Sequence, residues 1–205
     1  MDNSRDVLVT GLADLAINAT EQQIDLLLAF VRLIEKWNKT YNLTAIRNRE
    51  EMLHLHILDS LAVLPFVSGK NIIDVGTGAG LPGIPLAIFM PEVRFTLLDS
   101  NAKKTRFVQQ AILELKLKNV EVVHSRVEQL KRAGEFDAVL CRAFASLHDI
   151  MQWTDYLLQA EGVLIAMKGQ KPVAELERLE RVYSVESIVV PGIDAERCVV
   201  RINKS

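Results

Sequence analysis

The pattern of apolar positions divides the chain into two parts near residue 69. Before that point, apolar side chains recur every three or four residues, which is the period of an amphipathic helix. The two stripes are Ile24, Leu27, Leu28, Val31 and Ile34, and then Met52, Leu55, Leu58 and Leu61. Each follows a pair with capping-box spacing, Thr20 with Gln23 and Asn48 with Glu51. Residues 1–68 are therefore predicted to form a helical extension.

From residue 71 onward, short apolar runs alternate with segments of helical length. The runs typical of buried strands are residues 72–75, 95–98, 120–123, 138–141 and 163–167. The segments between them are helices at residues 84–90, 102–115 and 147–158, with a short turn at residues 127–130. Because strand–helix–strand crossovers are right-handed, this alternation predicts a mostly parallel α/β sheet with helices on both faces. Residues 69–205 are predicted as one domain on which the extension packs.

The end of the chain follows a different pattern. Residues 187–190 and 198–202 are two strand-like runs joined by the turn sequence Pro191-Gly192-Ile193-Asp194. The connection leaves no room for a crossover helix, which a parallel pair requires. The sequence therefore predicts an antiparallel strand pair at the edge of the sheet.

Composition narrows the class of protein. The 205 residues are 49% hydrophobic and 24% charged, which is typical of a packed globular chain and excludes disordered, collagen-like and fibrous coiled-coil classes. Lysine and arginine number 24 against 26 acidic residues, a net charge of −2. Because the net charge is close to zero, the protein has no strong overall electrostatic field to attract nucleic acid. Any contact with nucleic acid would therefore need a local basic patch.

Cysteine and histidine usage predicts no metal site. Cys141 and Cys198 have no partners at metal-ligand spacing, and His54 and His56 are two residues apart, which places them on different faces of a helix. The first residues are polar with no signal-peptide pattern, and no apolar run is long enough for a membrane helix. We expect a cytoplasmic protein with no membrane contact, and nothing demands more than a monomer.

A glycine-rich segment directly after the first predicted strand indicates a ligand-binding loop. The segment is Asp74-Val75-Gly76-Thr77-Gly78-Ala79-Gly80-Leu81-Pro82-Gly83. Glycines at these positions allow tight turns and close approach of a ligand to the backbone. Gly78, Gly80 and Gly83 also satisfy the dinucleotide pattern G-x-G-x-x-G, so the loop alone does not separate an NAD-binding protein from other nucleotide-binding classes.

Two aspartates near this loop favour a cationic nucleotide-like ligand. Asp74 would repel a pyrophosphate but suits the ammonium and sulfonium of S-adenosylmethionine; its alternative role is to cap nearby amides. Asp99 ends the second predicted strand, where a carboxylate can accept hydrogen bonds from both ribose hydroxyls. The alternative for Asp99 is a residue that begins the next helix. We interpret both aspartates, with Gly76 and Gly78, as part of a cofactor site.

Several further segments, combined with the glycine loop, carry a family resemblance. They are Lys36-Trp37-Asn38-Lys39, Tyr41-Asn42-Leu43-Thr44, His56-Ile57-Leu58-Asp59-Ser60, Leu97-Leu98-Asp99-Ser100, Ser125-Arg126-Val127-Glu128, Arg142-Ala143-Phe144-Ala145-Ser146 and Lys168-Gly169-Gln170. Together they resemble the bacterial 16S ribosomal RNA guanine-N7 methyltransferases, also called glucose-inhibited division protein B. The resemblance runs from about the first predicted helix almost to the end of the chain.

The resemblance implies a fold, a reaction and a cofactor site. The fold is the class I S-adenosylmethionine-dependent, Rossmann-like methyltransferase fold, with seven strands. The reaction is methylation of N7 of a guanine, guanine 527 of 16S ribosomal RNA, with the RNA or the 30S subunit as partner. The implied cofactor contacts are Gly76, Leu81, the backbone around Val127 and Glu128, and Arg142.

The chemistry of guanine N7 predicts a site without a catalytic triad. N7 carries a lone pair and no proton, so the enzyme mainly has to align the reacting atoms. Arg142 ends the fourth predicted strand and is our candidate catalytic residue, acting by positioning. Phe144 is a candidate for stacking on an extruded base, with a core role as the alternative. Cys141 lacks an evident activating residue and is interpreted as a small buried side chain.

Basic residues converge on the edge of the sheet where the predicted strands end. Lys103, Lys104 and Arg106 begin a helix there, Arg126 follows the third strand, and Lys168 ends the fifth. Each one alone is typical of a solvated surface, but together they would form a phosphate-binding rim. We therefore predict these five residues as the RNA-binding surface.

Two other functions stay open at this point. The glycine pattern also fits an NAD-dependent oxidoreductase, and a non-catalytic RNA-binding assembly factor could retain the same fold. Our leading hypothesis is a ribosomal RNA methyltransferase.

Overall fold

A seven-stranded sheet organises the protein, and the N-terminal helices pack against it. The computed structural model describes residues 3–142 and 145–204. The strands are β1 (Asn71–Val75), β2 (Arg94–Asp99), β3 (Val120–His124), β4 (Phe136–Arg142), β5 (Leu158–Lys168), β6 (Tyr183–Ile188) and β7 (Arg197–Asn203). Their order across the sheet is β3-β2-β1-β4-β5-β7-β6.

Parallel pairing dominates the sheet, as the alternating pattern predicts. β1 pairs in parallel with both β2 and β4, and β2 with β3 and β4 with β5 are parallel too. β7 pairs antiparallel with β5 and with β6, which confirms the predicted C-terminal pair. The chain order reverses between β1 and β4, and in open α/β sheets ligands bind beyond the carboxyl ends of the strands at such a point.

Helices occupy the connections and the N-terminal part of the chain. They are α1 (Ser4–Asp14), α2 (Glu21–Tyr41), α3 (Arg49–Met52), α4 (Asp59–Leu61), α5 (Gly83–Phe89), α6 (Ala102–Leu115), α7 (Leu147–Thr154) and α8 (Val173–Leu176). Short 3-10 turns occur at Leu64–Phe66, Val127–Gln129 and Asp155–Leu157. None of the helices in the described ranges has both the length and the apolar character needed to cross a bilayer.

Helix α2 attaches the N-terminal extension to the sheet layer. Its predicted capping box is present, because the Thr20 side chain accepts from Gln23 N and the Gln23 side chain accepts from Thr20 N. Phe30 and Trp37 of α2 contact Phe107 of α6, with ring centroids 6.3 and 5.8 Å apart. One hydrophobic core contains side chains from both sides of residue 69. This shared core supports the predicted packing, while the domain boundary itself stays a prediction.

The second predicted helix is interrupted by a π-helical segment. Residues Leu53–Leu58 form this wider helix between α3 and α4. His54 contacts the loop between β6 and β7, with Nδ1 2.8 Å from Pro191 O. A Cβ on Gly192 would lie 2.4 Å from the same nitrogen, so this loop fits closely against the helix. π-Helical turns occur frequently at functional sites, and this one borders a cavity described below.

Three elements differ most from the sequence prediction. β5 begins at Leu158, where a helix end was predicted, because Gln159, Glu161 and Gly162 interrupt the apolar run that marks a buried strand. β6 begins at Tyr183 and ends at Ile188, ahead of the predicted residues 187–190. α1 was not predicted at all, since it buries only Leu8, Gly11 and Leu12.

Candidate active site: a nucleotide cleft and an adjacent cavity

The glycine loop after β1 is held against the end of β2. Gly76, Gly78 and Gly80 have φ angles of 73°, 61° and 81°, which side chains with a Cβ adopt only with strain. Gly76 N and Thr77 N both donate to Leu98 O, at 2.8 and 3.0 Å. The loop therefore takes the tight course that its glycines predict.

Asp99 joins the glycine loop to the beginning of α6. Its Oδ2 accepts from Gly78 N at 2.9 Å, and its Oδ1 accepts from Asn101 N at 2.8 Å. The residue is 8% exposed. A carboxylate can accept about four hydrogen bonds, so two sites stay available beside these amides. Asp99 is the last residue of β2, while Asn101 caps α6, so Asp99 does not begin the helix. It presents a fixed acceptor to the adjacent cleft.

A cleft of about 410 Å³ lies beyond the ends of β1, β2 and β3. Four predicted cofactor residues line it, namely Gly76, Asp99, Val127 and Glu128. Lys104, Arg126 and Trp153 line it as well. Lys104 and Arg126 were predicted as RNA contacts, so the structure places two of those five residues at the cofactor side of the edge.

Trp153 was missed by sequence reasoning. It lies on α7, where it is half-buried next to the fully buried Thr154. The sequence signal that could have identified Trp153 was an aromatic side chain next to the buried face of a short amphipathic helix.

Asp74 lies behind the loop and not on the cleft wall. It is 1% exposed, and its Oδ2 accepts from Thr77 Oγ1 at 2.7 Å and from Gly83 N at 3.0 Å. Its Oδ1 is buried and has no hydrogen-bond partner among the described residues. Burial raises the pKa of Asp74 to about 6, and the hydrogen bonds from Thr77 and Gly83 oppose that rise. The capping role is thus present, and a direct role in cofactor binding stays a prediction.

Leu81 supports the loop from the core. Its side chain is 2% exposed and belongs to the main hydrophobic core, while its backbone N donates to Thr77 O at 2.9 Å. Any contact with a ligand in the cleft would therefore involve its backbone.

Close packing at Gly83 leads to a stability prediction. A Cβ at this position would lie 2.2 Å from Leu97 Cδ2 and 2.9 Å from Asp74 Oδ2. We expect Gly83→Ala to lower the free energy of unfolding by about 1–3 kcal/mol, because overpacking forces buried groups to move. Gly169→Ala is the control, since its nearest neighbour would be 4.0 Å away. Urea denaturation measures both, and equal stabilities would contradict this view of the loop.

A second cavity of about 390 Å³ lies beyond the ends of β4 and β5. Arg142, Asp59 and Arg197 meet there, although they come from β4, α4 and β7. Arg197 Nε donates to Asp59 Oδ1 at 2.9 Å, and Arg142 Nη1 is 3.6 Å from Asp59 Oδ2. The structure therefore places Arg142 in this cavity and not among the residues that line the first cleft. Asp59 and Arg197 were not singled out from the sequence, although Asp59 lies in one of the segments that carry the family resemblance.

His56 is a buried neutral side chain in the same cavity. Its Nε2 is 3.0 Å from Thr44 Oγ1, while Nδ1 is buried with no hydrogen-bond partner among the described residues. Burial and the nearby charge of Arg142 lower the pKa of His56 to about 4. At neutral pH the ring is uncharged, so it can offer one donor and one acceptor.

Cys141 is unsuited to nucleophilic catalysis. It is fully buried, and burial together with the negative charge of Asp74 raises the pKa of its thiol to about 12. The thiolate is the reactive form, so the structure agrees with a packing role. Phe144, the predicted stacking residue, lies outside the described residues. Within them, no group of three histidine, cysteine or acidic side chains has the geometry of a metal site.

The predicted RNA-binding residues fall into three groups. Lys103 and Arg106 are exposed on the first turns of α6. Lys104 and Arg126 line the first cleft, as described. Lys168 lines the second cavity; its side chain is 12% exposed and its Nζ donates to Ala145 O at 2.8 Å. The exposed rim is thus narrower than the sequence predicts.

Comparison with known proteins identifies relatives over the whole chain. The family model for GidB, rRNA small subunit methyltransferase G, matches residues 23–198. Ribosomal RNA small subunit methyltransferase G of Legionella pneumophila (strain Philadelphia 1) is 49% identical over 207 residues, covering 100% of this chain and 98% of the relative. The protein of the same name from Escherichia coli O17:K52:H18 is 49% identical and covers 96% of this chain and 98% of its own length.

Solved structures with lower identity share the fold. The tRNA (m1A58) methyltransferase TrmI from Aquifex aeolicus aligns with a TM-score of 0.58 and 15% identity, covering 72% of this chain and 69% of that one. TYW2 of M. jannaschii, solved in complex with AdoMet, aligns with a TM-score of 0.55 and 18% identity, covering 72% and 74%.

These matches confirm the predicted class I methyltransferase fold, the methyltransferase activity and the cofactor, S-adenosylmethionine. They set aside the alternatives of an NAD-dependent oxidoreductase and of a non-catalytic RNA-binding factor. The sheet, the glycine loop and the full-length similarity agree, and the chain belongs to the GidB family of rRNA small subunit methyltransferase G.

Proposed function

We propose that the protein methylates N7 of a guanine in 16S ribosomal RNA, guanine 527, using S-adenosylmethionine held in the first cleft. The observation that carries the proposal is a nucleotide cleft next to a second cavity that contains Arg142, whose planar fork can face the O6/N7 edge of a guanine. Guanine N7 carries a lone pair and no proton, so its methylation needs no general base.

The first cleft fits S-adenosylmethionine in shape and in donor set. Its volume of about 410 Å³ falls in the range of small-ligand sites. Asp99 offers fixed carboxylate oxygens to ribose hydroxyls, and Gly76 brings the backbone to the cleft wall without a side chain. Val127 and Glu128 line the same cleft. When bound, the cofactor supplies an activated methyl group on a positively charged sulfur.

The contribution of the protein to the reaction is alignment. Guanine N7 has no proton to remove, so the reaction needs no base, and the buried thiol of Cys141 stays protonated and supplies no nucleophile. Holding two reactants in a productive arrangement contributes up to about 7–11 kcal/mol to lowering a barrier. Arg142, at the end of β4 in the second cavity, is the positioning residue in this proposal.

Partners and location follow from the proposed reaction. The substrate is 16S ribosomal RNA, alone or within the 30S subunit, and Lys103 and Arg106 would contact its phosphates. The protein acts in the cytoplasm as a monomer, without a metal ion.

Transfer of a labelled methyl group tests the proposal directly. We expect the purified protein to label one guanine in 30S subunits or 16S ribosomal RNA from a strain that lacks this enzyme. Mass spectrometry of nuclease fragments should locate 7-methylguanine at that position. Label on any other atom or base would overturn the proposal.

Substitution of Asp99 tests the cofactor site. We expect Asp99→Ala to weaken S-adenosylmethionine binding by about 1–3 kcal/mol, because the ribose hydroxyls lose their acceptor. Isothermal titration calorimetry measures the dissociation constant, with Glu114→Ala on the exposed side of α6 as the control. An unchanged dissociation constant for Asp99→Ala would contradict the assignment.

A further inference from the structure

The second cavity has the walls and polar groups needed to receive a single base. Resting on the function proposed above, we propose that this cavity binds the extruded target guanine and that Asp59 reads its Watson–Crick edge. Enzymes that modify a base within folded nucleic acid must rotate it out of its stack into a pocket. The first cleft is assigned to the cofactor, and the second cavity is its neighbour along the same edge of the sheet.

Asp59 offers acceptors that the protein only partly uses. Its side chain is 7% exposed, and Oδ1 accepts from Arg197 Nε at 2.9 Å. The 3.6 Å between Oδ2 and Arg142 Nη1 is a charge pair beyond hydrogen-bond reach. Lone pairs on both oxygens are therefore available to a ligand, and a carboxylate can accept two parallel hydrogen bonds. The N1–H and N2–H groups of guanine are such a pair of donors.

The order of groups along the cavity matches the order of groups along guanine. Guanine presents N2–H and N1–H as donors, followed by O6 and N7 as acceptors. In the protein, Asp59 is the acceptor, Arg142 is the adjacent donor, and the charge of Arg142 also acts on Asp74 beneath the glycine loop. With its donors on Asp59 and O6 facing Arg142, the base turns N7 toward the first cleft. Adenine would place its N1 lone pair against the carboxylate, so it would be repelled.

His56 contributes an uncharged ring to the wall of this cavity. The residue is 95% buried, and its Nε2 is 3.0 Å from Thr44 Oγ1. Apolar side chains complete the walls and suit the faces of a base; they are Ile46, Leu55, Met167 and Ile188.

The net charge of the cavity suits a nucleotide. Asp59 carries one negative charge between the two positive charges of Arg142 and Arg197, while Lys168 is balanced by Glu175, whose Oε1 is 3.5 Å from its Nζ. One positive charge is left over, which favours the phosphate attached to an extruded nucleoside.

The segment 42–48, which contributes Ile46 to the cavity wall, is held in place by hydrogen bonds within the protein. Asn38 Nδ2 donates to Ile46 O at 3.1 Å, and Thr44 N donates to Asn38 Oδ1 at 3.0 Å. Arg47 Nη1 donates to Asn38 O at 3.1 Å. A single buried asparagine therefore sets the position of Ile46 and Thr44, so binding needs little rearrangement of this wall.

A comparison of RNA substrates with guanosine or inosine at the target position tests whether Asp59 recognises the edge of the base or only stabilises the structure. Inosine keeps N1–H, O6 and N7 but lacks the N2 amino group. We expect the wild-type protein to methylate an RNA with guanosine at the target position about tenfold faster than the same RNA with inosine, since one charge-assisted hydrogen bond is lost. In Asp59→Asn we expect the rate on guanosine to fall about 10- to 100-fold and the preference over inosine to disappear.

A binding measurement gives a second readout that does not depend on methyl transfer. Calorimetric titration with GMP, IMP and AMP, with S-adenosylhomocysteine present, should show the order GMP, IMP, AMP in falling affinity for the wild type. Asp59→Asn should bind the three equally. Asp155→Asn is the matched control, because it removes an aspartate that pairs with Arg181 away from the cavity.

The outcomes separate this inference from the proposed function. If Asp59→Asn keeps the full preference for guanosine over inosine, or for GMP over AMP, Asp59 does not read the base and the inference is wrong. If the wild type fails to methylate guanine N7, the proposed function is wrong, while the order of nucleotide affinities still tests the pocket. Should Asp59→Asn not fold, Ile188→Trp fills the cavity instead; it should abolish GMP binding and leave S-adenosylmethionine binding intact. Unchanged GMP binding in that variant would overturn the inference.

Discussion

Arg142→Ala is expected to lower the rate of methyl transfer at least about 100-fold while the protein still folds. Arg142 acts on groups of both sites, since it pairs with Asp59 in the second cavity and its charge acts on Asp74 beneath the glycine loop. A misplacement of the reacting atoms by about 1 Å can lower a rate about 100-fold, which corresponds to about 2.7 kcal/mol. The fold should tolerate the change because Arg197 still pairs with Asp59.

The conservative variant Arg142→Lys separates the effect of the positive charge from the effect of the side-chain geometry. Arg142→Lys keeps the positive charge but loses the planar fork that binds two acceptors at once. If alignment depends on the fork, single-turnover methylation by Arg142→Lys should fall nearly as far as that by Arg142→Ala. Thermal unfolding of both variants reports on the fold. Methylation at the wild-type rate in Arg142→Ala would remove this residue from the mechanism.

Asp74→Asn is expected to raise the stability of the protein at pH 8 by up to about 3 kcal/mol, while weakening its affinity for S-adenosylmethionine. Burial raises the pKa of Asp74 from 3.8 to about 6, and a difference of that size corresponds to about 3 kcal/mol at 1.36 kcal/mol per pH unit. Asparagine keeps an oxygen that accepts from Thr77 Oγ1 and Gly83 N but does not bury a charge. The cationic cofactor should lose about tenfold in affinity, or about 1.4 kcal/mol.

The gain in stability should depend on pH with a definite sign. Because the pKa of Asp74 is raised on folding, the ionised carboxyl destabilises the folded protein fully above pH 6, and this cost disappears as the pH falls toward 3.8. The difference between the variant and the wild type should therefore shrink from pH 8 to pH 4. His56 acts in the opposite direction in both proteins, since its lowered pKa removes stability as the pH falls from 6.5 to about 4. Urea denaturation at several pH values measures the difference, and a gain that does not change with pH would contradict the assignment to Asp74.

The parallel core of the fold could be predicted because its signals are local. Buried strands β1, β2 and β4 are mainly apolar, and the helix caps at Thr20, Asn48 and Ser146 are short polar patterns. The position of Asp99 at the end of β2 also follows from spacing alone. Each of these depends on residues that are close together in the chain.

Features that depend on long-range contacts could not be predicted in the same way. The π-helical segment at Leu53–Leu58 has apolar spacing that fits an ordinary helix, and its contact with Pro191 joins residues 137 apart. The edge strand β6 is mostly exposed, so it lacks an apolar pattern. The second cavity unites Asp59, Arg142 and Arg197, and no local motif indicates that they meet.

The contact between the π-helical segment and the loop after β6 joins residues from the first third of the chain to residues near its end. The order of synthesis therefore affects which of the two sites can form first. The segments that form the first cleft, the last of them α7 with Trp153, are made before β5 and the two final strands leave the ribosome. The second cavity needs Arg197, from the last strand, to meet Asp59, from near the start. A nascent chain could thus acquire its nucleotide cleft well before its other pocket closes, and competence for the full reaction would arrive only with the final strand.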